Sequence, residues 1–189
     1  MCESLKPEYK YSNYKKEHKM WLHMLDRVFN KEIHDIHPTY ENVTCCEEWL
    51  KFENFCEWVI SQTNYQQWKD NMRWDLDKDI LLKGNLIYSP STCCLVPNRV
   101  NKLFTKRQNH RGIYPIGVRK RNQKYEARCN FDGHSEYLGV FNTVQEAFQS
   151  YKEYKEKIIK IIAQEEYAKG NITKQCYEAM MNYTVEITD

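Results

Sequence analysis

Long hydrophobic runs are missing from this sequence. No apolar stretch approaches the about 18 residues that a membrane-spanning helix needs. The N-terminal segment, Met1 to Lys19, is polar and rich in lysine, and it contains no apolar core typical of a signal peptide. We therefore expect a protein without a membrane partner that stays in the cytosol.

Glycine and proline are also scarce, with 6 and 5 residues in a chain of 189. This scarcity excludes a collagen, a low-complexity linker and a disordered tail. Hydrophobic residues make up 41% of the chain and charged residues 29%, which is typical of globular proteins. The length suits one ordinary domain or two small ones. We predict two domains, residues 1–111 and residues 112–189.

Disulfide bonds are not expected, although the chain has eight cysteines. The reducing cytosol keeps cysteines as thiols. Two adjacent pairs, Cys45-Cys46 and Cys93-Cys94, lack the two- to four-residue spacing usual between zinc ligands. We interpret the cysteines as buried thiols, and the alternative is a structural zinc site. The cysteines are Cys2, Cys45, Cys46, Cys56, Cys93, Cys94, Cys129 and Cys176.

Negative charge is almost absent from one segment of the chain. Residues 98–128 hold ten Lys and Arg side chains but a single acidic one, Glu126. The flanking residues 1–97 and 129–189 carry net charges of −3 and −4, so the positive charge is concentrated between two acidic parts. A basic segment of this kind favours a polyanionic partner such as a nucleic acid. The alternative is a solvated loop with a basic face.

Hydrophobic periodicity predicts an α+β protein whose first part is helical. Apolar residues at helical spacing indicate helices from about Lys15 to Asn30 and from Glu47 to Ser61. Two extended segments, Leu76–Leu82 and Gly84–Tyr88, are predicted to flank a turn, and a short helix is predicted after Pro97.

The period of the pattern changes to two from Ile116 onward. Two strands are predicted up to Asn130, and the Asp132-Gly133 turn leads into a third strand, Ser135–Phe141. A capping box, Thr143 to Glu146, starts a helix that ends at Gly170, and a last short helix begins near Thr173. The pattern therefore predicts a three-stranded antiparallel sheet packed on a long helix. Alternation places Arg119, Arg121 and Arg128 on the sheet face that the helix leaves free.

The C-terminal part closely resembles the apetala-two/ethylene-response-factor DNA-binding domain, in the form that phage proteins carry. The resemblance rests on Gly117-Val118-Arg119-Lys120-Arg121, Lys124-Tyr125-x-Ala127, Tyr137-Leu138-Gly139-Val140-Phe141-x-Thr143, Glu146-Ala147 and Tyr151. It implies binding of double-stranded DNA through the sheet. The implied contacts are Arg119, Arg121, Lys124, Tyr125, Arg128 and Tyr137. Plant members usually carry Trp where this chain has Tyr125 and Tyr137, so their base preference is not transferred. The alternative is a charged sheet with a structural role alone.

The N-terminal part looks like the phage HNH endonucleases of the homing type. The resemblance rests on Trp21-x-x-Met24-x-x-Arg27, Pro38-x-Tyr40, Cys46-x-Glu48-Trp49, Phe52, Phe55, Leu76-Asp77-Lys78-Asp79, Asn85, Tyr88-Ser89-Pro90-x-x-Cys93 and Val96-x-x-x-Val100-Asn101. It implies a strand-strand-helix element, the His-Me finger, that holds one divalent metal ion. Asp77 takes the place of the first ligand, and Asn101 is the candidate second ligand.

The resemblance to the nucleases breaks down at the general base, because Lys78 stands where the family has His. A lysine amine is protonated at neutral pH and cannot accept a proton from water. We therefore predict a degenerate module that is weak or inactive as a nuclease. The enzymatic alternative is a DNA-nicking endonuclease that uses magnesium.

The sequence thus predicts a phage-type protein of the host bacterial cytosol that binds double-stranded DNA. The basic segment between the modules, with Lys106, Arg107 and Arg111, is expected to add phosphate contacts. The alternative is a phage-encoded inhibitor of a host defence system, which binds a host protein or a nucleoprotein complex. Loss of the catalytic His is the feature that motivates this alternative.

Overall fold

The computed structural model describes Tyr9 and residues 12–71, 73–105 and 113–189. The protein is a mixed α+β structure, as expected. In chain order the elements are α1 (Lys15–Phe29), α2 (Lys31–Ile36), β1 (Thr44–Cys45), α3 (Phe52–Ser61), α4 (Tyr65–Asp70), β2 (Trp74–Asp77), β3 (Ile87–Tyr88), β4 (Cys94–Pro97), α5 (Asn98–Phe104), β5 (Val118–Arg121), β6 (Lys124–Phe131), β7 (His134–Phe141), α6 (Val144–Ala168) and α7 (Lys174–Met181).

The first two predicted helices are present, but the second begins later than expected. Helix α1 ends where Asn30 leaves the helical conformation and caps α2 by accepting a hydrogen bond from the Glu32 N–H. The predicted helix from Glu47 begins instead at Phe52. Residues Glu47–Leu50 form a separate 3₁₀ turn, because the extended backbone of Lys51 interrupts the helical path.

The strands of the N-terminal part do not follow the two predicted extended segments. Strand β2 pairs antiparallel with β4, and Ile87 in β3 pairs with Thr44 in the parallel partner β1. Residues 78–86 form a loop, so Leu76–Leu82 and Gly84–Tyr88 are not the two arms of a hairpin. The strand ends early because the Asp77 carboxylate accepts the backbone N–H groups of Asp79 and Ile80. Strand β3 lies between β2 and β4 in the chain, and β4 leads directly into α5.

The predicted C-terminal sheet is confirmed, with the antiparallel order β5-β6-β7. Asp132 and Gly133 both have positive φ, 48° and 80°, and form the two-residue turn between β6 and β7. The register shifts between Ala127 and Arg128, which pair with Gly139 and Tyr137, and Leu138 is the extra residue of this bulge.

Helix α6 covers one face of this sheet. It starts with the predicted capping box, in which the Thr143 hydroxyl accepts from the Glu146 N–H and the Glu146 carboxylate accepts from the Thr143 N–H. Gly117 has φ +77°, and a Cβ there would lie 2.0 Å from the Tyr151 ring. Glycine therefore permits the close approach of the sheet to α6.

Two clusters of buried side chains form the core, and β4 belongs to both. The first cluster joins the N-terminal helices to β2 and to Leu95 of β4. The second joins Val96 of β4 and Val100 of α5 to the C-terminal sheet, α6 and α7. The core is thus divided along the β2–β4 pair. The predicted boundary between residues 111 and 112 lies outside the described residues.

The seven cysteines in the described part are free thiols. Five are buried, whereas Cys45 and Cys46 are partly exposed, which corrects the expectation of uniformly buried thiols. Among the described helices, none is both long enough and apolar enough to span a membrane.

Truncation of Phe148 tests the packing of α6 on the sheet. Phe148 is 7% exposed, whereas Ile161 on the same helix is 38% exposed. We expect Phe148→Ala to lower the free energy of unfolding by about 3 to 5 kcal/mol, because it leaves a cavity beneath the helix. Ile161→Ala is the control and should cost less than about 1 kcal/mol. Equal losses in urea denaturation would contradict this packing.

Lys155 of α6 is buried, and burial lowers the pKa of its amine. The native state therefore binds this proton less tightly than the unfolded state does, so the free energy of unfolding increases as pH rises toward the usual lysine pKa of about 10.4. Lys155→Met should raise the free energy of unfolding at pH 7 by an amount on the order of 1 kcal/mol and flatten this rise. The exposed control Lys157→Met should do neither. A loss of stability in Lys155→Met at pH 7 would refute the argument.

Candidate nucleic-acid interface

The solvent face of the C-terminal sheet gathers the predicted arginines. Arg119 pairs with Glu126 across β5 and β6, and Arg121 pairs with Lys124. Arg128 pairs with Tyr137 across β6 and β7. Because side chains alternate along strands, these residues share the face opposite α6. We call this surface the arginine face, and it comprises Arg119, Arg121, Lys124, Glu126, Arg128, Tyr137 and Val140.

Three guanidinium groups converge on one carboxylate, that of Glu126. Its Oε1 accepts hydrogen bonds from Arg119 Nε and Nη2, at 3.1 and 2.8 Å, and from Arg128 Nε at 2.5 Å. Its Oε2 accepts from Arg121 Nη1 at 3.2 Å. The hydrogen bond from Arg128, together with that from Arg119, holds the pKa of the Glu126 carboxyl below its usual range. Glu126 is therefore ionised at neutral pH.

Exposure shows how the cluster is layered. The Glu126 side chain is 1% exposed, whereas those of Arg119, Arg121 and Arg128 are 64%, 57% and 38% exposed. The guanidinium groups cover the carboxylate and remain open to solvent themselves. Each guanidinium carries five N–H donors, and Glu126 uses only one or two of them. The remaining donors are available to a ligand.

The β7 side of the arginine face adds an aromatic ring and an apolar side chain. The Arg128 guanidinium lies over the Tyr137 ring, 5.3 Å from its centroid. Val140 pairs with Glu126. The bulge at Leu138 allows Tyr137 and Val140, three residues apart, to lie on the same face. Simple alternation along the strand does not predict this arrangement.

The structure separates the other predicted contacts. Lys124 lies on the arginine face, opposite Arg121. Tyr125 lies on the other face of the sheet, where its half-buried ring packs 5.6 Å from that of Tyr114, so it does not join the arginines. Three further predicted contacts, Lys106, Arg107 and Arg111, lie outside the described residues.

Glu126 is the residue that the sequence analysis missed as a member of the site. It is the single acidic residue of the basic segment, and it alternates with Arg128 along the predicted strand. Both features place a negative charge on the basic face. Its simultaneous contact with three arginines depends on the pairing of β5 with β6.

Asp77, the predicted first metal ligand, is buried at the end of β2. Its Oδ1 accepts the N–H groups of Asp79 and Ile80, at 2.8 and 2.7 Å. Burial raises the pKa of this carboxyl to about 6 despite these two hydrogen bonds. The two hydrogen bonds to the Asp77 side chain thus end the strand at this residue.

Lys78, which was predicted to stand at the position of the general base, is held as a hydrogen-bond donor. Its Nζ donates to both carboxylate oxygens of Asp79, at 3.0 and 2.9 Å, and to the Asn85 carbonyl at 2.8 Å. The Asn85 amide donates back to the Lys78 carbonyl at 2.9 Å. An ammonium group that donates three hydrogen bonds has no lone pair for a proton from water. These reciprocal hydrogen bonds join the two ends of the loop of residues 78–86.

Asn101, the predicted second ligand, contacts a different carboxylate. Its Nδ2 donates to Asp75 Oδ2 at 3.1 Å, and Nδ2 of Asn98 donates to the same oxygen at 2.8 Å. Asp75 and Asn98 were not singled out from the sequence. The spacing of two between Asp75 and Asp77, and of three between Asn98 and Asn101, places each pair on one side of its element.

The structure places Asp77 and Asn101, the predicted magnesium ligands, in separate hydrogen-bond networks. Asp77 Oδ1 accepts two backbone N–H groups, and the Asn101 amide donates to Asp75. Within the described ranges, no three or more His, Cys, Asp and Glu side chains are grouped so that they could hold a metal ion. The cluster of Asp75, Asn98 and Asn101 ties α5 to β2.

Comparison of the chain with protein-family models, with curated proteins and with solved structures finds no match.

A plasmid-nicking assay tests the interpretation of the Asp77 region. With magnesium or manganese, the wild type and Lys78→His should both leave supercoiled plasmid intact, because Asp77 Oδ1 is held by two backbone N–H groups and the Asn101 amide by Asp75. Asp77→Ala is the matched negative control. Robust nicking by the wild type that is absent in Asp77→Ala would identify an enzyme with an unusual base and overturn this interpretation. A gain of nicking in Lys78→His alone would show that Asp77 and Asn101 do hold a metal ion.

Proposed function

We propose that this protein binds double-stranded DNA through the arginine face. The observation that carries the proposal is the clustering of three solvent-open guanidinium groups on the free face of a three-stranded antiparallel sheet. Four cations and one anion give the arginine face a net positive charge, which attracts a phosphate backbone.

The shape of the surface supports a duplex as the ligand. The major groove of DNA is about 12 Å wide and admits a two-stranded β-ribbon. Adjacent strands lie about 4.8 Å apart, so β5 and β6, which carry the three arginines, fit this width. Helix α6 lies on the other side of the sheet and does not obstruct the approach.

The side-chain chemistry supports contact with base edges as well as phosphates. An arginine fork can bond O6 and N7 of guanine together, or grip a phosphate. Val140 offers an apolar surface that suits the thymine methyl group. Exposed Tyr137, stacked under Arg128, extends the same surface.

Salt-dependent binding to a duplex pool of random sequence tests the proposal. We expect the wild type to bind this pool with an affinity that falls steeply between about 50 and 200 mM salt. The double variant Arg119→Ala/Arg121→Ala should bind more weakly. Its slope of log affinity against log salt should fall by about one unit for each phosphate group that the variant no longer neutralises.

The matched control is Lys157→Ala/Lys160→Ala, which removes two exposed cations from the outer side of α6. It changes the net charge equally and should leave the salt slope nearly unchanged. A folded Arg119→Ala/Arg121→Ala variant with wild-type affinity and slope would refute the role of the arginine face. Absence of salt-dependent DNA binding by the wild type would refute the proposed function.

A further inference from the structure

We propose that Glu126 makes the arginine face selective for DNA sequence, by fixing the three guanidinium groups and by opposing phosphate at the centre of the face. This inference rests on the proposed function and assigns a role to a residue that would itself oppose binding to a polyanion.

Glu126 restricts the positions of three arginine side chains. Arginine has four flexible side-chain torsions, and an exposed arginine normally samples many rotamers. Here the contacts of 2.5 to 3.2 Å to one carboxylate restrict three arginines together. Ordering them before the ligand arrives reduces the entropy cost of binding and favours ligands that match their fixed geometry.

The negative charge of Glu126 acts differently on phosphates and on base edges. A phosphate that approaches the middle of the cluster meets the Glu126 carboxylate beneath the guanidinium groups, and this negative charge offsets part of their attraction. Guanine O6 and N7 are neutral acceptors, so the same carboxylate disfavours them less. Glu126 therefore weakens non-specific backbone binding more than contact with base edges.

The carboxylate of Glu126 contributes to the arrangement of the arginine face. Glu126 is covered by the arginines, on the face opposite the buried core cluster that contains Cys129. Glu126 belongs to neither buried cluster of the core, so packing of the core does not require a carboxylate here. What the carboxylate adds is the common orientation of Arg119, Arg121 and Arg128. Selectivity is a difference between affinities, and an element that disfavours the wrong ligand contributes to it.

Selection from a duplex pool of random sequence, followed by sequencing, tests the inference. Three proteins are compared: wild type, Glu126→Gln and Glu136→Gln. Glu136 is exposed on β7 and pairs with Cys129, so its replacement changes the net charge equally but on the other face. The measurements are the affinity for the unselected pool, its salt slope, and the ratio of the affinity for the most enriched sequence to that for the pool.

Glu126→Gln should bind the unselected pool about threefold more tightly at ~100 mM salt, with a salt slope steeper by about one unit. Its selectivity ratio should fall by about tenfold or more, the discrimination that one bidentate arginine–guanine pair provides. Glu136→Gln should change the pool affinity less than about twofold and keep the ratio. Glu126→Asp keeps the charge but shortens the side chain, so it should retain the low pool affinity and lose selectivity.

Thermal unfolding of each variant verifies that it is folded. If the wild type selects a sequence and a folded Glu126→Gln selects it equally well, the inference is overturned and the proposed function stands. If Glu136→Gln reproduces the changes, net charge is responsible and the inference is likewise overturned. Should Glu126→Gln not fold, Glu126→Asp decides alone, because unchanged selectivity there contradicts the positioning role. A wild type that does not bind the pool overturns the proposed function and this inference with it.

Discussion

A single helix, α6, covers one face of the three-stranded sheet and also belongs to the core formed by β4 and α5. Its 25 residues span about 37 Å, which is longer than the sheet alone requires. Phe148 and Tyr151 lie in its first half, and Ile159 and Ile162 in its second half, yet all four share one buried cluster with Val96 of β4. Because this helix commits one face of the sheet to the core, the other face is left to solvent, and that is where the arginines collect.

Polar side chains join the parts that this helix brings together. Asn64, fully buried at the start of α4, donates to the carbonyls of Leu95 and Asn171, both at 2.9 Å. Arg99 of α5 donates to Glu166 of α6 at 2.9 Å and lies 3.2 Å from Asp132 in the β6–β7 turn. A buried polar group is costly unless it is paired, so such joints specify one arrangement of the elements. They connect α4 and α5 to β4, α6 and the β6–β7 turn.

The Asp77 region shows how side chains suited to a metal site can serve the backbone instead. Carboxylates and amides are magnesium ligands, but they are also the side chains that satisfy backbone and amide groups where a strand ends. Asp77 accepts hydrogen bonds from two backbone N–H groups, and Lys78 and Asn85 are joined by reciprocal hydrogen bonds across the loop. Asp75 accepts hydrogen bonds from both asparagines of α5. In this structure the polar side chains join β2, the loop of residues 78–86 and α5 by hydrogen bonds.

Much of the local structure was determined by the sequence alone. Helix α1, the Thr143 capping box and the three C-terminal strands depend on periodicity, caps and turn residues within a few positions of one another, and these were predicted from the pattern. The alternation that places Arg119, Arg121 and Arg128 on one face is of the same local kind. Tertiary structure decided what local patterns cannot contain: the pairing of β2 with β4, the bulge at Leu138, the attachment of Asn101 to Asp75, and the convergence of three arginines on Glu126. The reason is that a strand pattern specifies which side of a sheet a residue occupies, whereas its partner across the sheet is set by contacts between distant parts of the chain.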